Sequence, residues 1–196
     1  MPAQGVPFTP HRQLPTLEEL ADAVAFTVRH LGVRRVKLTG GEPLVRRGAV
    51  AFVGMVAGIE GVEEVSMTTN GTHLARLARQ LKAAALTRVN VSLDTLHPAR
   101  FAELTRGGDI RRVLAGIRAA REWGLEPVKL NAVLRASSYR EDVPDLLAFA
   151  TREGLELRFI ELMRTGTEGA WCEQEYVSAQ SVQRFLANLG ELTPLP

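Results

Sequence analysis

The residues best equipped for chemistry lie at the ends of apolar segments. Lys37-Leu38-Thr39-Gly40-Gly41-Glu42-Pro43 follows an apolar run. Adjacent glycines let a backbone approach a ligand where a Cβ would block it. Glu42 adds a carboxylate, and Pro43 stiffens the exit from the turn. Lys37, Lys129 and Arg158 sit inside apolar segments with Thr68, Ser92, Asn90 and Asn131 at equivalent places. Cations beside hydroxyls and amides suit a phosphate-bearing, hydroxyl-rich ligand. Only three of the 24 basic residues are lysine, and two of these three fall within strand candidates. A strand-interior lysine needs a reason.

These groups must be positioned by alternating helices and strands. Thr16-Leu17-Glu18-Glu19 reads as a capping box opening a helix that Gly32 closes. A strand is expected at 33–38, a helix at 48–59 and a strand at 64–68. A helix at 73–85 and a strand at 88–93 follow. A helical turn at 98–104 precedes a helix from Gly107-Gly108-Asp109 to Trp123. The next strand spans 127–134. Ser138-Tyr139-Arg140-Glu141 reads as a second capping box, for a helix to about Glu153. A strand at 156–161 and a helix at 178–189 end the series, and 165–176 reads as loop. Helices of this length between strands predict βαβ units and a parallel sheet.

A parallel sheet covered on both faces is apolar throughout. These strands are not. Lys37 and Thr39 alternate with Val36 and Leu38, and Ser66, Thr68 and Asn70 with Val65 and Met67. Asn90, Ser92 and Asp94 alternate with Val89, Val91 and Leu93. Lys129 and Asn131 flank Leu130, and Arg158 lies between Leu157 and Phe159. Alternate residues face opposite sides of a sheet. One face is therefore expected to pack helices and the other to line a polar lumen, with ligands at the carboxyl ends of the strands.

Composition bounds the rest. The chain has 196 residues, one cysteine and a net charge of +2. That suits one sizeable core. A single cysteine excludes an intrachain disulfide and fits the reducing cytoplasm. The low, dispersed charge argues against nucleic-acid binding. No apolar run is long enough to span a membrane, and no secretory signal is visible. The four histidines, His11, His30, His73 and His97, lack metal-ligand spacing and read as surface or capping groups.

Thr39-Gly40-Gly41-Glu42-Pro43 resembles the GGEP motif of radical S-adenosylmethionine (SAM) enzymes. In order after it come Thr68-Thr69-Asn70-Gly71, Arg88 to Asp94, Lys129-Leu130-Asn131 and Arg158 to Met163. As a set these are similar to the GTP 3′,8-cyclase family, over nearly the whole chain. The resemblance implies an α/β fold: an incomplete (β/α)6 TIM-like barrel, here with five parallel strands and the first strand missing. It would form one partial barrel over residues 1–196, with a core at about 14–163 and a loop plus helix at 164–196.

By resemblance, Gly40, Gly41, Glu42, Ser92 and Met163 are SAM-binding positions, and Lys37, Thr68 and Lys129 are GTP-binding positions. The family usually has Arg at position 37, so charge is kept here but the bidentate fork is lost. The implied reaction turns GTP into 3′,8-cyclo-GTP, the first step of molybdenum cofactor biosynthesis. Its product goes to the companion molybdenum cofactor protein C. The family uses SAM and two [4Fe–4S] clusters, the first on a Cys-x3-Cys-x2-Cys loop. Cluster ligation of that type needs at least three thiolates, and this sequence has only Cys172. Met1-Pro2 matches the residues after the loop's third cysteine, and Pro196 comes before the family's C-terminal second-cluster region, so truncation at both ends is expected, with no activity from the chain alone.

A plainer reading stands beside this one. Gly40-Gly41 can be an ordinary turn, Met163 core filler, and Lys37 or Lys129 a structural partner of Asp94 or Glu161. On either reading a strand left unpaired at the sheet margin invites association into a homodimer.

Overall fold

The computed structural model describes Thr9, residues 13–163 and residues 169–193. The expectations for Met1-Pro2 and His11, and for residues 164–168 and 194–196, lie outside the described residues.

Five parallel strands form one sheet in sequential order: β1 (Arg35–Leu38), β2 (Glu64–Thr69), β3 (Arg88–Ser92), β4 (Lys129–Val133) and β5 (Glu156–Ile160). The helices are α1 (Leu17–Leu31), α2 (Ala49–Ala57), α3 (Leu74–Ala83), α4 (Pro98–Thr105), α5 (Ile110–Glu122), α6 (Tyr139–Glu153), α7 (Gly169–Glu175) and α8 (Ala179–Ala187). Parallel crossovers are right-handed. When each strand adds beside its predecessor in one direction, that handedness sends every crossover helix to the same face. The winding is that of a (β/α) barrel, open here because β1 and β5 each pair with one neighbour among the described residues.

Register shows two faces. On one, Val36 pairs with Val65, and Leu38 with Met67 and then Val89. Thr69, Val91, Leu130 and Leu157 form the next row on that face. Met67, Val89, Val91, Leu130 and Ala132 are wholly buried there. They meet helix residues such as Val53, Leu74, Ile117, Val143 and Leu146 in one core. Burying a side chain of this size contributes roughly 1.5–3 kcal/mol.

The ends of the elements follow local rules. Thr16 Oγ1 accepts the Glu19 N–H (3.1 Å) and Glu19 Oε2 accepts the Thr16 N–H (2.7 Å), the expected box. Gly32 ends α1 at φ +67°. Asp109 caps α5 through the Arg111 N–H. Gly116 lets α5 settle on the turn after β2, since a Cβ there would stand 2.2 Å from the Gly71 carbonyl oxygen.

Three expectations are corrected. Ser138 makes no side-chain cap on α6. Its ψ of −11° places it in a backbone turn, away from the extended geometry an N-cap uses. The neighbouring Ser137 hydroxyl donates instead to Glu175 Oε2, at 2.7 Å. The segment read as loop contains α7, whose buried Cys172 anchors a turn rich in good helix formers. The turn expected at 98–104 is a full helix, α4, with Pro98 at its first position.

Candidate functional site

The second face of the sheet collects the polar residues. Lys37, Ser66 and Arg88 are register partners. So are Thr68, Asn90, Lys129 and Glu156. Ser92, Asn131 and Arg158 make the third row. Strand pairing thus gathers Lys37, Thr68, Ser92 and Lys129 on a single surface, and Arg158 with them. Ser66 and Asn90 are buried in its floor, while Lys37, Ser92 and Arg158 are exposed.

Arg88 pairs with Glu64 at 2.7 Å on this face, and a second cluster forms around Glu156. Its carboxylate receives Lys129 Nζ at 2.6 Å and Arg158 Nη2 at 2.6 Å. The Lys129 bond above all, then Arg158, holds the Glu156 carboxyl below its ordinary range. Lys129 therefore pairs neither with Asp94 nor with Glu161. Asp94 accepts the Val133 N–H at 2.9 Å, and Glu161 accepts the Ala179 N–H at 2.6 Å at the start of α8. Burial pushes the Asp94 carboxyl up, against the pull of the Val133 N–H and the Arg135 charge. Lys37 has no ion pair among the described residues. It is exposed on the edge strand β1, which also borders an apolar groove of about 430 Å³ between α1 and the start of α2.

The glycine loop sits at the carboxyl end of β1. Gly40 has φ +153°, a conformation that other residues rarely adopt. Gly41 does not have a positive φ, and nothing lies within 4 Å of where its Cβ would be. The fold alone therefore does not require glycine at position 41.

Glu42 is held firmly by the chain. Oε1 accepts the Leu44 N–H (3.0 Å) and the Thr69 hydroxyl (2.7 Å), and Oε2 accepts the Asn70 N–H (2.6 Å). The loop after β1 is thus tied to the end of β2. Beside it a cavity of about 220 Å³ is lined by Asn70, Ser92, Asp94 and Phe101 among others. Met163 lies beyond β5 at the far margin of the sheet, 71% exposed, with its carbonyl 4.0 Å from the Cys172 sulfur.

Two participants escaped the sequence reading. Glu156 stands two residues before Arg158, a spacing that already assigns it to the polar face. Thr69 falls on the apolar face, where a buried hydroxyl requires a partner. Its parity was a usable signal.

No described residues group three or more His, Cys, Asp or Glu side chains as a metal site. No helix among the described residues is long and apolar enough to cross a membrane.

A sequentially wound parallel sheet with a glycine loop at β1 and a polar inner face defines an open (β/α) barrel with its candidate site at the carboxyl ends of the strands. The model of the radical SAM superfamily matches residues 3–150, and the chain belongs to that superfamily. Within it, the chain is similar to proteins named GTP 3′,8-cyclase. That of Peptoclostridium acidaminophilum is 43% identical over 98% of this chain and 59% of its own length. That of Moorella thermoacetica is 45% identical over 100% of this chain and 60% of its own length. That of Streptomyces coelicolor is 44% identical over 98% and 57%. The chain thus spans about three fifths of the length of these curated relatives.

Solved structures agree on the fold. A radical SAM methyltransferase from Sphaerobacter thermophilus superposes with a TM-score of 0.66 at 21% identity, covering 89% of this chain and 55% of that one. Native anSMEcpe with bound AdoMet and a Cp18Cys peptide gives 0.67 at 20%, covering 88% and 50%. The fold is accordingly the partial TIM-like barrel of radical SAM enzymes.

Proposed function

We propose that this chain supplies the SAM- and GTP-binding surfaces of a GTP 3′,8-cyclase, in the first step of molybdenum cofactor biosynthesis. The observation that carries the reading is the shared face bearing Lys37, Thr68, Ser92 and Lys129. Lys129 and Lys37 would meet the phosphates, with the Thr68 hydroxyl beside them. Gly40, Gly41 and Glu42 would hold the methionine end of SAM, with Ser92 and Met163 completing its site. The work of such a face is to position two ligands and keep water from them. GTP is the substrate, protein C takes the product, and the setting is the cytoplasm. Residues 1–196 form one domain, and a homodimer joined at the β1 edge is its expected association.

Superfamily membership implies SAM and an iron–sulfur cluster, two clusters for the cyclase. The residues of this chain do not fit a cluster. Its one cysteine, Cys172, is buried and 4% exposed, and one thiolate cannot replace three. The chain by itself is therefore expected to bind without turnover. That observation favours the second reading, a catalytically dead nucleotide- or SAM-binding fragment.

Calorimetric titration of the 196-residue chain with GTP tests the proposal. Saturable binding that weakens about tenfold in Lys129→Met supports it. No saturable heat in the parent chain overturns it. Cyclised product from the purified chain would overturn the expected lack of turnover.

A further inference from the structure

We infer that Thr69 is the positioning residue for the glycine loop, acting through Glu42. This rests on the reading of that loop as the SAM site. Thr69 is 2% exposed and lies on the apolar side of β2, so its hydroxyl touches no ligand on the polar face. Its hydrogen bonds run to the two loops that flank the site. It donates to Glu42 Oε1 at 2.7 Å and accepts the Gly71 N–H at 3.1 Å. One hydroxyl therefore fixes the loop after β1 against the turn after β2.

Glu42 completes the clamp with two backbone donors. Leu44 N–H meets the same oxygen as Thr69, and Asn70 N–H meets the other oxygen at 2.6 Å. A carboxylate offers about four acceptor positions. Three are filled from within the chain, all by groups that lock its rotamer. The one left, on Oε2, is the position a ligand ammonium can take. The orientation of that lone pair, and with it the path of Gly40 and Gly41, is set by Thr69. Valine at position 69 would keep the shape but leave Gly71 N–H without its acceptor and Glu42 one donor short. Serine would restore both bonds.

Hydrogen exchange and SAM titration on the full chain test this together. In Thr69→Val, the Leu44 and Asn70 amides should exchange at least about tenfold faster, with the amides of α6 unchanged. SAM affinity should fall about tenfold, and Thr69→Ser should restore both readouts. Unchanged exchange at Leu44 and Asn70 would overturn the positioning role, whatever the affinity. Faster exchange with SAM affinity untouched would overturn it as well, because the loop would then bind without the clamp. Faster exchange in a chain whose parent form binds no SAM would sustain the clamp and remove the SAM reading. Should Thr69→Val fail to fold, Glu42→Gln, which keeps the shape but weakens the acceptor, must accelerate the same two amides.

Discussion

The two faces of one sheet differ in everything but their backbone. Toward the helices, Met67, Val89, Val91 and Leu130 are sealed from water. Toward the lumen, the same strands present Lys37, Ser92, Lys129 and Arg158. The first face carries the stability and the second leaves room for a ligand. Substitutions on the two faces should therefore fail differently, one by unfolding and the other by loss of binding.

The sharpest break of that comparison is Gly116→Ala on the helix side. Its Cβ would meet backbone that cannot swing aside, 2.2 Å from Gly71 O. We expect a loss of about 3 kcal/mol in urea unfolding. Leu130→Ala, wholly buried, should cost a similar amount, about 2–5 kcal/mol. On the ligand side, Gly41→Ala meets nothing within 4 Å and should change stability by less than about 0.5 kcal/mol. It should nonetheless abolish SAM binding. Equal damage from both glycine substitutions would erase the distinction.

Glu156 sharpens the comparison further. Glu156→Gln should release Lys129 and Arg158 and tighten GTP binding about threefold by calorimetry. Its pH effect follows from its lowered pKa. A carboxyl depressed in the folded state stabilises the fold above its unfolded value, 4.5, and that contribution is lost as pH falls through the lower folded value. Thermal unfolding of the parent chain should weaken across that acidic window more than that of Glu156→Gln. The smallest effect expected is association at the β1 edge, checked by light scattering. Arg35 and Lys37 on that edge oppose close pairing of two copies, so only weak dimerisation is expected.

The strand parity and the shared face of Lys37, Thr68, Ser92 and Lys129 were legible, because period-two alternation is local; the sequential winding came only with the family resemblance. The partners of the charged groups were not. Glu42 finds Thr69 across 27 residues, and only strand adjacency brings them together. Helix α7 was hidden because its segment carries two glycines and few periodic apolar residues, and the burial of Cys172 shows only in the folded chain. Ser138 carried the right letters for a cap but the wrong ψ, which the preceding turn imposes.

Two neighbouring threonines give the most direct test of the two-faced sheet. Thr68 faces the lumen and Thr69 the helices. In a methyl-resolved NMR titration with GTP, the Thr68 methyl should shift saturably while those of Thr69, Val91 and Leu130 stay in place. A titration that moves the core methyls and leaves Thr68 untouched would contradict the account.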